Sequence, residues 1–279
     1  MSKPKSVFIS IDMEGISGIF EGRQTGGDQG DYQRGRKLMV GDLNAAVEGA
    51  LEAGVEEIVV SDSHGGGRNL IAEEVHEAAY LIQGRPTWDT MMKGIGGDYD
   101  AALYLGYHAM KGTKEATLAH TVSGGVVDDV WVNGRPTGEF GLNAAVAGQH
   151  GVPSVFISGD AAAVEEAKTF VPNIGSAVVK WALGRQVAKM RHPGRARELI
   201  RSGVVEALGR VDEIEPYVVE PPVEFKMRVW SALGVDALVR LPYIERVDGR
   251  TVSMTFNDYH KGHRALMAAI QLAGTARPR

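Results

Sequence analysis

Apolar positions along this chain follow two rhythms. Short runs rich in β-formers, Val7 to Ile11, Glu57 to Val60, Ala101 to Leu105 and Ser154 to Ile157, have the length of buried strands. Between the first two, Leu38, Leu43, Ala46, Val47, Ala50 and Leu51 recur at near-helical spacing across residues 31–53 and stop at Gly54. A second amphipathic run opens at Gly138-Glu139 and continues through Ala147, and Ala161 to Phe170 reads as a third helix. Strand alternating with helix predicts an α/β fold, a mainly parallel sheet flanked by helices.

Other signals interrupt that alternation. Ala116 to Val122 has the pattern of a further short strand carrying His120, and Asp128 to Val132 runs into Asn133-Gly134, a strong hairpin signal. The charged run about His76 and the text leading to about Leu208 read as helical. Beyond the proline cluster Glu220-Pro221-Pro222, Val223 to Val229 reads as a strand. Val247 and Thr251 to Phe256 flank an Asp248-Gly249 turn, and a last helix starts at Asp258 with its cap near Asn257. The expected organisation is a catalytic α/β domain over residues 1–180 and a smaller α+β lobe over 181–279 that helps form a cleft and subunit contacts. A length of 279 residues suits one large domain with an appended lobe.

Composition narrows the chemistry. Thirty basic against thirty-five acidic side chains leave a net charge of −5, with no drive toward nucleic acid or an anionic membrane. The basic stretch from Arg185 to Arg210 is interleaved with apolar residues at helical spacing and reads as a solvated helix face or a subunit contact. The absence of cysteine removes disulfides, thiolate ligands and a cysteine nucleophile, so any metal site is built from oxygen and imidazole. The apolar stretch near the amino terminus is far too short for a signal sequence or a membrane span, and a cytoplasmic protein is expected.

Asp12, Glu14, His64, His108 and Glu139 each fall where a predicted strand ends or a helix begins. Taken singly, each has an ordinary structural reading. Asp-x-Glu can cap a helix, Asp62-Ser-His64 before three glycines can be a solvated turn, His108 can be a packed histidine, and Glu139 suits a helix dipole without any metal. The glycine triplet lacks the spacing of a phosphate-binding loop. Coincidence of all five at one topological edge favours a ligand set, because the carboxyl ends of parallel strands converge on one crevice. Three carboxylates, two neutral imidazoles, two divalent cations and a bridging hydroxide sum to zero charge, and such a pair of ions prepares water for hydrolysis. His120 alternates with apolar neighbours in a way that could aim it at the same crevice, as a packed histidine or as a proton-transfer group, since imidazole titrates near neutrality. His150 precedes a helix-stopping glycine, His192 precedes a proline, and the pair His260 and His263, at facing i,i+3 spacing, has no nearby carboxylate cluster to complete a site.

Four ordered motifs carry a family resemblance: Ser10-Ile-Asp-Met-Glu-Gly-Ile-Ser-Gly18, Asp62-Ser-His64, Gly106-Tyr-His-Ala109 and Asn133-Gly-Arg-Pro-Thr-Gly-Glu-Phe-Gly-Leu-Asn143. Over about Val7 to Asp160 the chain resembles the zinc-dependent D-aminopeptidases, and more loosely beyond. The resemblance implies a metallo-aminopeptidase acting on short peptides with an N-terminal D-residue. It further implies two zinc ions per subunit, or another divalent transition metal, held by Asp12, Glu14, His64, His108 and Glu139 with Asp12 shared. His120 is implied as the catalytic residue, for which a proton-shuttle role is physically simpler than a covalent one. A ring-shaped homo-oligomer, a decamer, is also implied. The competing expectations are a magnesium-dependent phosphohydrolase and a non-catalytic α/β ligand-binding or assembly module.

Overall fold

The computed structural model describes residues 4–27, 30–85 and 89–276; the outermost ends of both expected domains lie outside the described residues. In chain order the elements are β1 (Ser6–Ile11), α1 (Gly30–Ala53), β2 (Glu57–Asp62), β3 (Ala79–Ile82), β4 (Ala101–Tyr107), β5 (Val127–Val132), β6 (Arg135–Pro136), α2 (Glu139–Gln149), β7 (Ser154–Asp160) and α3 (Ala161–Phe170). They continue with β8 (Gly175–Gly184), β9 (Val187–Met190), α4 (Pro193–Leu208), β10 (Val223–Val229), α5 (Ala232–Leu238), β11 (Glu245–Arg246), β12 (Thr251–Phe256) and α6 (Tyr259–Thr275).

Two sheets result. The larger has the order β3-β2-β1-β4-β7-β8-β9 and is parallel except at its last pair, β8 with β9. Its central strands are buried along their whole length, as strands covered on both faces by helices must be, and this is why they read as unbroken apolar runs. The smaller sheet, β11-β12-β10-β5-β6, is antiparallel, and β10 alternates buried and half-buried positions with the period of a sheet covered on one face. The fold is the expected α/β class: a mostly parallel sheet flanked by helices, plus an antiparallel sheet.

Several sequence expectations need correction. Residues 116–122 form a loop, not a strand, because their amides are taken by side chains and by the β8–β9 turn instead of a ladder: Thr117 N donates to Asp160 at 2.7 Å, Leu118 N to the carbonyl of Arg185 at 2.9 Å and Val122 N to Glu139 at 2.7 Å. The run about His76 holds a single 3-10 turn, Ala72–Glu74, before the short strand β3. The text from about residue 180 to 190, expected to be helical, belongs to the β8–β9 hairpin, and helix starts only at α4. The anticipated boundary at residue 180 falls inside β8, while the β5–β6 hairpin of the antiparallel sheet comes from the amino-terminal portion.

The larger sheet places the site. β1 pairs with β2 on one side and β4 on the other, so the strand order reverses direction there, and the loops leaving β1, β2 and β4 open onto a common crevice. Two glycines let the ends of β1 and β4 touch. A Cβ on Gly15 would lie 2.1 Å from the carbonyl oxygen of Tyr107, and Gly106, at a φ of +67°, would place one 2.3 Å from the carbonyl oxygen of Asp12. Only residues without a side chain allow that crossing. Among the described residues no helix is long and apolar enough to cross a membrane.

Candidate metal centre

Asp12 and Glu14 lie in the turn after β1, His64 after β2, His108 after β4, and Glu139 begins α2; the structure brings all five together, with His120 beside them. Asp12 stands in the middle. Its Oδ1 faces His64 Nδ1 at 2.9 Å and its Oδ2 faces His108 Nε2 at 3.4 Å. His64 Nδ1 also lies 3.0 Å from Glu14 Oε2, and His108 Nε2 lies 3.3 Å from Glu139 Oε1. His120 Nε2 is 3.8 Å from the same Glu139 oxygen, and its ring stacks on His108 at 4.0 Å between centroids. Two clusters therefore have donor atoms close enough for one cation each, Asp12 with Glu14 and His64, and His108 with His120 and Glu139.

The histidine tautomers follow from their outer partners. His64 Nε2 is 2.8 Å from the carbonyl of Thr25, His108 Nδ1 is 3.0 Å from the carbonyl of Ala109, and His120 Nδ1 is 2.9 Å from the carbonyl of Leu118. A carbonyl oxygen only accepts, so each of these ring nitrogens carries the hydrogen. The opposite nitrogen of each neutral ring then turns its lone pair toward carboxylate oxygens, which carry lone pairs of their own. Buried His108 Nε2 and Glu14 Oε2 have no hydrogen-bond partner at all. Lone pairs facing lone pairs are stable only with a positive charge between them, a proton or a metal, and imidazoles fixed through the other nitrogen are the usual form of metal-binding histidine. The donor set of carboxylate oxygen and imidazole nitrogen fits zinc.

The electrostatics agree. Burial, joined by the charge of Glu14, pushes Asp12 up to about 6 against the pull of His64. Burial pulls the imidazoles of His64 and His108 down, but the facing carboxylates outweigh it and hold both well above the ordinary histidine range. Burial also opposes ionisation of Glu14 and Glu139, yet the histidines hold both below the usual carboxylate range. The pocket thus draws positive charge to its imidazoles while keeping carboxylates ionised in a buried place.

Surrounding residues fix this geometry. Lys180, fully buried on β8, donates from Nζ to the carbonyls of Glu14, Ile16 and Ile19 and so pins the turn that carries Glu14. Asp62 accepts from the amides of Asn69 at 2.6 Å and Leu70 at 2.8 Å, and Asn69 Nδ2 reaches the carbonyl of His64 at 2.7 Å. Asp62 therefore shapes the loop behind His64 and is separate from the clusters. Asp160 caps α3 through Ala163 N at 2.9 Å and holds the His120 loop through Thr117. That loop has left-handed backbone at Glu115, Leu118 and Val122, none of them glycine. A β-branched residue at positive φ is unfavourable, and the Val122 amide to Glu139 is among the bonds that hold it.

Sequence reasoning missed Lys180, although a signal was there: a lone ammonium inside the apolar run Ala177-Val-Val-Lys-Trp-Ala-Leu183 needs buried acceptors. The remaining histidines stay away from the clusters. His192 caps α4 through the amide of Gly194, His150 and His260 approach each other with rings 4.6 Å apart, and His263 stacks on Tyr259 with its ring nitrogens buried without a hydrogen-bond partner and is pulled down to about 3 by burial, and so neutral.

A buried oxygen-and-imidazole cluster at the switch point of a parallel sheet defines the class of metal-dependent hydrolases. Comparison with known proteins makes it more specific. The family model Peptidase_M55, D-aminopeptidase, matches residues 6–268, and the chain belongs to that family of metallo-aminopeptidases. It is 36% identical over 277 residues to the D-aminopeptidase of Bacillus subtilis (strain 168), an alignment covering 96% of this chain and 97% of that one. Among solved structures it superposes with a TM-score of 0.95 on the Zn-dependent D-aminopeptidase DppA from Bacillus subtilis, a self-compartmentalizing protease, at 30% identity over 98% of this chain and 100% of that chain.

Proposed function

We propose that this chain removes the amino-terminal residue from short peptides, with preference for a D-residue, using two zinc ions held by Asp12, Glu14, His64, His108 and Glu139 with Asp12 shared, and His120 as the catalytic residue. One observation carries the reading: three imidazoles each give one nitrogen to a backbone carbonyl and turn the other toward carboxylate, His64 toward Asp12 and Glu14, His108 toward Asp12 and Glu139, and His120 toward Glu139. The two oxygens of Asp12 face different histidines, which is the geometry a shared carboxylate needs. Zinc, when bound, supplies Lewis acidity that polarises a carbonyl and acidifies water.

The chain's own residues supply the rest. His120 is partly exposed and lines a cleft at the surface, whereas Asp12, Glu14, His108 and Glu139 are buried. With Nδ1–H given to Leu118, its Nε2 is free to take a proton from attacking water and return it to the leaving amine. Glu139 beside it and His108 stacked on it keep the ring from turning. A magnesium phosphohydrolase is disfavoured because magnesium seeks oxygen ligands and retained waters, while two of the five proposed ligands, His64 and His108, are imidazoles. The exposed apolar side chains Val187 and Met190 on β9, the edge strand of the larger sheet among the described residues, support the proposal of a homo-oligomer.

The test is a panel of paired D- and L-aminoacyl amides and dipeptides, run after chelation and again with zinc restored, alongside elemental analysis. Hydrolysis that depends on about two zinc equivalents per chain and favours the D-series supports the reading. Zinc-independent hydrolysis, or an L-preference, overturns the corresponding part.

A further inference from the structure

The cleft that His120 lines has a volume of about 560 Å³, the size of a small-ligand site, and one of its walls is the turn between β8 and β9. Two cations reach it, Lys111 and Arg185. Lys111 is already committed: its Nζ lies 2.9 Å from Asp128, donates to the carbonyls of Val127 and Gly124 at 2.8 and 3.2 Å, and sits 5.0 Å over the ring of Trp230. Arg185 differs. Among the described residues no carboxylate lies within ion-pair distance of its guanidinium, and Glu115 on the same wall is paired with Lys114 at 3.5 Å. The guanidinium is nevertheless fixed in place. Its Nη1 donates to the carbonyl of Ala119, the residue before His120, and its own carbonyl accepts the amide of Leu118 at 2.9 Å.

We propose that Arg185 is a specificity-determining residue that binds the free carboxylate of the peptide substrate; this rests on the peptide-hydrolase reading above. The reacting amide must lie beside His120, and Arg185 is tied to the neighbouring residue, so a carboxylate held there belongs to a peptide only two or three residues long. A guanidinium presents several N–H donors in a planar fork that matches the two oxygens of a carboxylate, and one bond to Ala119 leaves the others for it. Leu183 and the exposed ring of Trp230 offer apolar contact to the side chain of the departing residue. Arg185 therefore selects peptides that end in a free carboxylate over carboxamide-capped ones.

The experiment compares a dipeptide with its C-terminal carboxamide on the zinc-loaded wild type, Arg185→Gln and Arg185→Lys. In the wild type, kcat/KM for the free acid exceeds that for the amide by about tenfold, the scale of a charge-assisted bond at a partly open site. In Arg185→Gln the ratio falls to about one through KM, and Arg185→Lys keeps part of it. Because the readout is a ratio, loss of folded protein cancels. An unchanged ratio, or an equal loss on both substrates, overturns the proposal and leaves Arg185 a structural tie to the His120 loop. Calorimetric binding of the same two compounds to chelated protein gives the answer without turnover: the wild type discriminates acid from amide and Arg185→Gln does not. If the wild type hydrolyses neither compound, the peptide-hydrolase reading fails, and the binding ratio still decides whether Arg185 recognises a carboxylate.

Discussion

Buried charge divides the two sheets of this molecule. Around the parallel sheet, Asp12, Glu14, Asp42, Asp62, Glu139, Asp160, Glu166 and Lys180 are all buried. Among the described residues beyond 210, the buried polar side chains are Thr251 and His263, the latter neutral. Parallel strands end side by side at one edge, and three or four of them can each contribute a polar side chain to a single crevice that helices keep from water. The antiparallel sheet has one apolar face, packed with Phe225, Met227, Val252 and Met254, and no such convergence. It contributes by position: the β5–β6 hairpin leads directly into Glu139, and Trp230, just past β10, forms part of the cleft wall. Chemistry and support are thus separated between the sheets, and the separation can be tested.

The sharpest break comes at the shared cluster. His108→Ala removes an imidazole that faces both Asp12 and Glu139, and elemental analysis and turnover are expected to fall together, activity by about a thousandfold or more. His120→Ala is expected to lower kcat by roughly a hundred- to ten-thousandfold while zinc content stays near that of the wild type. Near-native turnover in that variant would remove His120 from the reaction. Chelation comes next. Ions that bind only the folded chain stabilise it by mass action, and clustered carboxylates repel once the ions leave, so verified zinc removal is expected to lower Tm by roughly 5–10 °C.

In the antiparallel sheet the expected effect is of another kind. Met227 is fully buried on β10, and Met227→Ala should cost about 2–5 kcal/mol in a denaturant titration. Zinc stoichiometry and turnover per folded molecule should not change. If they do, the two sheets are coupled more tightly than their separate roles require.

How much of this was legible beforehand follows the same division. The continuous apolar runs at β1, β2, β4 and β7 announced a parallel sheet, and the residues just beyond the first three are the ones that meet in the crevice, because strand order converts sequence edges into a spatial edge. The Asn133-Gly134 turn and α2 were equally plain. The His120 loop was not: its alternation resembled a strand, and only tertiary partners, Asp160, Arg185 and Glu139, decide otherwise. For Lys180 the apolar run around it signalled a buried ammonium but not where its acceptors lie, and for Arg185 nothing signalled a tie to the His120 loop. Their partners are backbone carbonyls of Glu14 and Ala119, far away in sequence, and a carbonyl leaves no mark in composition or spacing.

The smallest effect bears on the contrast in buried charge itself. Asp42, buried on α1, is pushed up to about 6 by burial, against the opposing bonds from the amide and hydroxyl of Ser17 at 2.8 and 2.7 Å and the nearby Arg197. In the unfolded chain the same carboxyl ionises near 3.8. Between those values the folded protein holds a proton that the unfolded chain has released, so the stabilisation is complete below the lower value and is lost as pH rises through the upper one. Asparagine can keep both contacts, its oxygen accepting the Ser17 amide and its NH2 donating to the hydroxyl, yet it cannot titrate. The stability of the wild type relative to Asp42→Asn should therefore decline by on the order of 2 kcal/mol between about pH 4 and pH 6 and then level off. Denaturant titrations of both proteins across that range measure it, and Met227→Ala run beside them should show a pH-independent offset. A flat difference for Asp42→Asn would mean that Ser17 and Arg197 already compensate the buried charge.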